Sequence, residues 1–399
     1  MKHVFIVGSK GIPANYSGFE TFVQELVLRK KSEEIVYHVA CSDFYRGGPD
    51  KPTRDVTWNG VHCFYVPVRD IGSARAVIYD LMALQYCVSY IQEHSITGAI
   101  VYILCSRIGP FVGYFRAKLK AWNTVLMLNP DGFDWKRQKW SMPIRCYWKL
   151  SGQWMIANMD RVVCDSKAIR DYVENEYRVR QLETYFIPYG ACYVGDSDKT
   201  SELLITAGED ARNWLLGMGV EPGQYYLVVA RFVPENNFEC ILREFMRSNT
   251  RKKLLLIADN EGTKLYTKLK KRIGFDKDDR ICFAGTLFDR RILTVVRMMA
   301  FAYIHGHSVG GTNPSLLESM GTTNVNLLFD VQFNREVGKD TALYWTKEAG
   351  NLAKAIQMTE TMTEEQRDEL GAKAKARIHE HYSWDHIVTM YESLFLKEL

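Results

Sequence analysis

Residues 300–318 read AFAYIHGHSVGGTNPSLLE. An apolar run, Ala300 to Ile304, ends at His305. Two glycines follow, Gly310 and Gly311, and a helix starts at Pro314. Proline suits a first helical turn because its missing N–H has no intrahelical partner there. A short strand apolar on both faces, then a glycine loop, then a helix, is the unit of a parallel α/β sheet. The unit recurs outward from this stretch. Tyr225 to Ala230, Leu254 to Ile257, Ile281 to Ala284 and Val325 to Phe329 are runs of the same kind. Upstream the chain turns polar over 193–224, with a linker at Gly195 to Lys199. Before that lies a second series: Val4 to Val7, Val36 to Cys41, Val61 to Val66, Ile100 to Leu104, Val125 to Leu128 and Val162 to Cys164. A helical-period stretch, Ala74 to Gln92, separates two of them. The pattern predicts two doubly wound, Rossmann-like domains facing a cleft, over residues 1–195 and 196–380. Residues 381–399 form a last helix with Trp384, Ile387, Tyr391, Leu394 and Phe395 on one side. That helix either covers a surface or crosses back to the first domain.

Composition narrows the class. A chain of 399 residues fits two domains. Its formal charge of +4 is too weak for a nucleic-acid binder. The nine cysteines stand singly with no CxxC pair, which reads as reduced thiols in a cytoplasmic protein. Met1-Lys2-His3 leads straight into a strand, so no signal peptide is expected. No apolar run approaches the roughly 20 residues that span a bilayer, so membrane contact would be peripheral.

Three loops carry candidate chemistry. Gly310 and Gly311 bare the backbone before the Pro314 turn, and Glu318 lies about one turn inside, within reach of a ribose hydroxyl pair. Together they read as a cradle for a diphosphate and a ribose, against a plain glycine turn with a solvated glutamate. His307, Thr312 and Asn313 belong to the same loop. Arg231 follows the strand that opens the second domain, where a guanidinium can grip phosphate bidentately or form a surface ion pair. Asn236 lies five residues on. The first loop, Gly8 to Glu20, is not GxGxxG, and it serves either as a plain strand-to-helix turn or as a ligand-contacting loop. In the first domain, Asp131 and Asp165 each follow a strand, and Tyr189 follows another apolar run. Each contacts a substrate or serves as a cap or turn residue. No metal site is expected. Asp196-Ser197-Asp198 and Asp276-Lys277-Asp278 lie in charged loops, and the paired histidines at 305/307 and 379/381 lack a third ligand.

One segment suits a lipid surface. Residues 136–150, KRQKWSMPIRCYWKL, hold five basic residues and no acidic one, interleaved with aromatic and apolar side chains. The expected membrane contacts are Lys136, Arg137, Lys139, Trp140, Arg145 and Trp148. The alternative is a buried helix with solvated lysines.

These stretches carry a resemblance along essentially the whole chain. GIPANYSGFETFV at 11–23, NPDGFDWKRQKW at 129–140, IPYG at 187–190, ARFVPENN at 230–237 and HSVGGTNPSLLESM at 307–320 are its marks. The chain resembles the retaining glycosyltransferases of family four, which have the GT-B fold. Within them it is most similar to bacterial rhamnosyltransferases of streptococcal capsule and cell-wall polysaccharide assembly. The resemblance implies a dTDP-L-rhamnose donor, no metal cofactor, and an undecaprenyl-diphosphate-linked sugar acceptor at the inner face of the cytoplasmic membrane. It implies a β-1,4 linkage formed with retention. Glu318 matches the second glutamate of the family's E-x7-E motif, which binds the nucleoside ribose, and Arg231 matches the diphosphate-binding arginine. Donor contacts are then expected from Gly18, Phe19, Arg231, Asn236, His307, Gly310, Gly311, Thr312, Asn313 and Glu318. Asp131, Trp135 and Tyr189 would meet the acceptor. Asp131, Asp165 and Arg231 are the candidate catalytic residues. Two positions depart from the broad family. Gly310 replaces the first glutamate, and Asn236 replaces the usual lysine. Both departures occur in the rhamnosyltransferase branch. A sugar-nucleotide epimerase of the same fold, or a non-catalytic donor-binding subunit, is the rival reading.

Overall fold

The computed structural model describes residues 1–14, 18–42, 55–137, 140–177, 182–193, 197–260 and 262–397. Packing divides the chain into two units, Met1–Tyr189 with Trp384–Leu399, and Gly190–Ser383.

Unit 1 is built on β1 (Lys2–Val7), β2 (Ile35–Ser42), β3 (Val56–Trp58), β4 (Val61–Val66), β5 (Ile100–Leu104), β6 (Val125–Asn129), β7 (Arg161–Cys164) and β8 (Glu183–Phe186). The sheet order is β3-β4-β2-β1-β5-β6-β7-β8, and only the β3–β4 pair is antiparallel. Its crossovers are α1 (Gly18–Leu28), α2 (Arg75–Glu93), α3 (Gly109–Lys120), α4 (Met142–Ala157) and α5 (Lys167–Tyr177). The central strands β5 and β6 are buried throughout, as helices on both faces require. The chain reverses its winding between β1 and β5.

Unit 2 opens with α6 (Ser197–Gly217), so the stretch expected as linker is helical from Ser197 on. Its strands are β9 (Tyr225–Val229), β10 (Lys253–Ile257), β11 (Ile281–Phe283), β12 (Ala302–His305), β13 (Asn326–Phe329) and β14 (Leu343–Trp345). They are all parallel, in the order β11-β10-β9-β12-β13-β14. The helices are α7 (Phe238–Arg247), α8 (Lys264–Ile273), α9 (Arg290–Met298), α10 (Pro314–Met320), α11 (Gln332–Gly338), α12 (Asn351–Thr361) and α13 (Glu364–Tyr382). Here the winding reverses between β9 and β12. In open α/β sheets that point, at the carboxyl ends of the strands, is where ligands bind.

The last helix, α14 (Trp384–Leu396), returns to unit 1. Tyr391 and Phe395 pack on Phe22, Tyr37 and Tyr102. Fully buried Arg161 donates to the carbonyls of Leu394 and Lys397, satisfying orphan acceptors at the helix end.

Candidate functional site

The two loops at the unit 2 switch point are those with the expected chemistry. One follows β9 and runs from Ala230 to Asn237. The other follows β12 and runs from Gly306 to Asn313. They are laced together. Asn236 donates to the Arg231 carbonyl at 2.7 Å, and its oxygen meets His307 Nδ1 at 2.9 Å. Asn237, held left-handed at φ 53°, donates to the Gly306 carbonyl at 2.7 Å. Ser308 donates twice to the Glu235 carbonyl. Gly306 is needed for this approach, because a Cβ there would lie 2.2 Å from the Asn236 carbonyl oxygen.

The expected donor residues therefore separate into two groups. Asn236 is buried and spends its amide on the wall, as does Asn313, whose oxygen caps α10 by accepting from the Ser315 amide at 2.9 Å. His307 is tied to Asn236 and packs on Phe333. Those three help to build the loops, while His307 and Asn313 remain partly exposed. Thr312 is buried. Arg231 is different: it is exposed, and among the described residues its guanidinium has no ion pair or hydrogen bond. The amides of Gly310 and Gly311 likewise meet no acceptor among the described residues. Gly310 adopts φ 141°, with His307 Nε2 at 3.0 Å from a Cβ position, so both conformation and space call for glycine. The α10 helix has only seven residues and its cap is already filled, so the cradle's donors are loop amides and the Arg231 fork.

Glu318 lies half-buried on α10. Its carboxylate meets Arg297 of α9 at 2.7 Å. The reading of the sequence did not single out Arg297. The available signal was a charged residue placed directly after Val295 and Val296 on the buried stripe of α9. His305, at the end of β12, is also buried, and burial pushes its imidazole down to about 3, keeping it neutral.

In unit 1 the switch point brings the loop after β1 beside the loop after β5. Gly8 and Gly11 have φ of 100° and 110°, and a Cβ on Gly8 would lie 2.2 Å from the Leu104 carbonyl oxygen. Arg107 holds the loop from the other side. It donates to the Gly8 carbonyl at 3.1 Å and pairs with buried Asp80 at 3.0 Å. Burial pushes the Asp80 carboxyl up to about 6 against the pull of Arg107. Neither residue was picked from sequence. Gly18 opens α1 and is exposed, whereas Phe19 sets its ring edge-on to Tyr189 at 6.3 Å.

Asp131 follows β6 in a left-handed conformation, φ 60°, and is half-buried. Its oxygen lies 3.9 Å from Arg137, which also pairs with Asp134 at 3.1 Å. Cys105, Asp131 and Asp134 bring ligand-type atoms within 4.8 Å of one another. Asp276 and Asp278 pair with Lys270 and Arg280, while Asp196 lies outside the described residues. Asp165 and Tyr189 are both buried. Asp165 is 3% exposed and Tyr189 7%, and the Tyr189 ring packs on Phe22 as well as Phe19.

Beside Asp131 a shallow, solvent-open pocket of about 40 Å³ lies between the β6 loop, α4 and α5. Its walls include Phe133, Trp135, Trp148, Tyr172 and Tyr177. The described residues among the expected membrane contacts lie around this pocket, and Lys136 among them is exposed. Lys136 sets its ammonium over the rings of Phe133 at 4.2 Å and Trp135 at 5.0 Å. Arg137 is ion-paired, Arg145 donates to the Trp135 carbonyl at 2.7 Å, and Trp148 lines the pocket. Trp140 is half-buried, and Lys139 lies outside the described residues. The outward face of α4 also presents Tyr147, Leu150 and Trp154, beside exposed Phe111 and Tyr114 of α3. Among the described residues no helix is long and apolar enough to cross a membrane.

Comparisons with known proteins bear on the fold. Residues 1–192 match a family described as "Domain of unknown function (DUF1972)". No curated protein sequence matches. Among solved structures, the sucrose-phosphate synthase of Thermosynechococcus elongatus is similar with a TM-score of 0.76 and 15% identity, over 99% of this chain and 98% of that one. A trehalose-6-phosphate structure from E. coli bound with UDP-2-fluoro glucose gives 0.72 and 12%, over all of both chains. The α,α-trehalose 6-phosphate synthase of Burkholderia multivorans gives 0.74 and 11%, over 99% and 96%. The chain has the GT-B fold of these proteins.

Proposed function

We propose that the chain is a glycosyltransferase that moves L-rhamnose from dTDP-L-rhamnose onto the sugar of an undecaprenyl-diphosphate-linked acceptor, with retention and a β-1,4 linkage, in the synthesis of a bacterial surface polysaccharide. The observation that carries this reading is the unit 2 switch point. There Glu318 lies on the helix that follows the second of two adjoining loops, and among the described residues those loops offer an unpaired, exposed Arg231 and unspent amides at Gly310 and Gly311. Fixed donors of this kind stabilise the charge that grows on a departing nucleoside diphosphate. A neighbour of the same fold is bound with a nucleotide sugar, UDP-2-fluoro glucose. A 6-deoxysugar has no 6-hydroxyl, and a site made less polar by Gly310, standing where the broad family has a glutamate, suits it.

The acceptor belongs to unit 1 in this reading. Asp131 stands at the mouth of an aromatic pocket, and carbohydrate rings stack well on such walls. Asp131 and Trp135, which both line that pocket, are the candidates best placed to touch the acceptor, whereas Asp165 and Tyr189 are buried. The enzyme works at the inner face of the cytoplasmic membrane, held there peripherally. The test is a mass-spectrometric assay of the purified chain with dTDP-rhamnose and a panel of lipid-diphosphate sugars. A product heavier by one deoxyhexose is expected. Isomerised nucleotide sugar without acceptor would make the protein an epimerase, and nucleotide binding with no turnover would make it a donor-binding subunit.

A further inference from the structure

Arg297 is 3% exposed, in the last turn of α9. A guanidinium in that position needs partners, because a buried unpaired charge is costly. Its Nη2 donates to Glu318 Oε2 at 2.7 Å and to Ser315 Oγ at 3.2 Å. Ser315 Oγ in turn donates to the Val229 carbonyl at 3.0 Å, and the Tyr303 hydroxyl lies 3.0 Å from Ser315 Oγ and 3.2 Å from that same carbonyl. Thr323 donates to the Arg297 carbonyl at 2.9 Å, tying the far side of α10 to the same turn. The network joins α9, α10 and the end of β9, and it holds the carboxylate rigidly.

The consequence concerns the pentose. A free carboxylate grips a vicinal diol with both oxygens. Here Oε2 faces the guanidinium, while Oε1 accepts no hydrogen bond among the described residues and the side chain keeps 40% exposure. We propose that Arg297 is a positioning residue that commits one oxygen of Glu318 and presents the other to a single pentose hydroxyl, so that the site takes ribo- and 2′-deoxyribonucleoside diphosphates alike. The inference rests on the donor reading above and gives it a sugar-ring specificity.

The first measurement needs no variant. UDP and dUDP differ only in the 2′-hydroxyl, and calorimetric titration of the intact chain should give dissociation constants within about threefold of each other. UDP binding more than about tenfold tighter would overturn the inference, because a hydroxyl bonded to a charged group contributes at least that much. Glu318→Gln separates the two levels of the argument. If it weakens both nucleotides yet the parent prefers UDP more than tenfold, the pentose is at Glu318 and the single-oxygen grip is wrong. If Glu318→Gln changes neither affinity, the nucleotide is elsewhere and both readings fail. Arg297→Met should weaken both nucleotides about tenfold or more and act mainly on donor KM, with Arg297→Lys recovering part of the loss. In the Glu318→Gln background, Arg297→Lys should cost nothing further, since the pair acts as one unit. Full additivity there would show that Arg297 supports the fold and not the carboxylate.

Discussion

At the scale of single residues, the molecule separates side chains that build loops from those left to act. Arg231 is the clearest of the second kind. It is exposed and unpaired among the described residues, so replacing it should cost little stability. Arg231→Ala should lower kcat/KM for the donor by about 100-fold, while Arg231→Lys, which keeps the charge but not the fork, recovers only part. Steady-state kinetics with a thermal melt of each variant checks this, and equal activity of Arg231→Ala and parent would remove Arg231 from the site. Histidines give a second prediction. His38 is buried between His3 and His62, with nitrogens 2.9 and 2.8 Å apart, and that chain ends on Asp55 at 3.2 Å. Burial and the neighbouring imidazoles push His38 down to about 3. An unfolded histidine titrates near 6.5, so between those values the unfolded chain takes a proton that the folded chain refuses. Stability is therefore full above about pH 6.5 and falls as the pH drops toward 3, by up to about 1.4 kcal/mol per unit. Urea unfolding of His38→Asn at pH 7 and pH 5 should show a loss about 2 kcal/mol smaller than the parent's. Equal losses would mean that His38 does not drive the acid sensitivity.

At the scale of elements, legibility followed burial. Strands covered on both faces announce themselves as apolar runs, and β1, β2, β4, β5, β6 and β7 lie where those runs are. The strands without a run of their own are β3 and β14, and β8 is marked only by the short apolar run before Tyr189; each lies at a sheet edge. Val56 and Thr57 of β3 are exposed, and every residue of β8 is only half-buried, so neither has the continuous apolar signature. The candidate site was legible to the same extent. Glycine loops and Arg231 declare themselves by type and spacing. Arg297, Arg107 and Asp80 act through partners far away in sequence, which periodicity does not reveal. Helix α4 shows the limit in one element. Its basic and aromatic composition is plain, yet which side chains face outward depends on where the helix begins, and it begins at Met142. Ser151, Gly152, Met155 and Ile156 are buried, which turns Tyr147, Leu150 and Trp154 outward at i, i+3 and i+7 spacing. If this face meets the bilayer, Leu150→Glu with Trp154→Glu should weaken binding to anionic phosphatidylglycerol vesicles by about tenfold or more, because affinity scales with the apolar area inserted. The melting temperature should stay put. Unchanged vesicle binding would move the contact elsewhere.

At the scale of the whole molecule, the two units differ in how the chain closes them. Unit 2 is one continuous segment, Gly190–Ser383, whereas unit 1 is completed only when α14 comes back. The two crossings lie side by side. Ala191 donates to the Tyr382 carbonyl at 2.8 Å and bridges Ser383 in parallel. What α14 brings to unit 1 is large. Ile387, Val388, Tyr391, Leu394 and Phe395 are all buried, and burial at about 1.5–3 kcal/mol each amounts to roughly 10 kcal/mol before the cost of ordering the helix. Glu392 adds two charge-assisted bonds, accepting from the amides of Lys31 at 2.8 Å and Ser32 at 3.0 Å. Without α14, Arg161 loses its two carbonyl acceptors while remaining linked to Glu183. A domain's whole stability is about 5–15 kcal/mol, so this helix decides whether unit 1 folds. A fragment of residues 190–383 should therefore fold cooperatively and bind nucleoside diphosphate, since its sheet, its core and Glu318, Arg297 and Arg231 are all its own. A fragment of residues 1–189 should lack a cooperative melt, and a peptide of residues 384–399 should restore one when added. Circular dichroism melts of both fragments, with nucleotide titration of the second unit, provide the measurement. A sharp unfolding transition of 1–189 alone would show that α14 covers a surface of unit 1 and does not complete it.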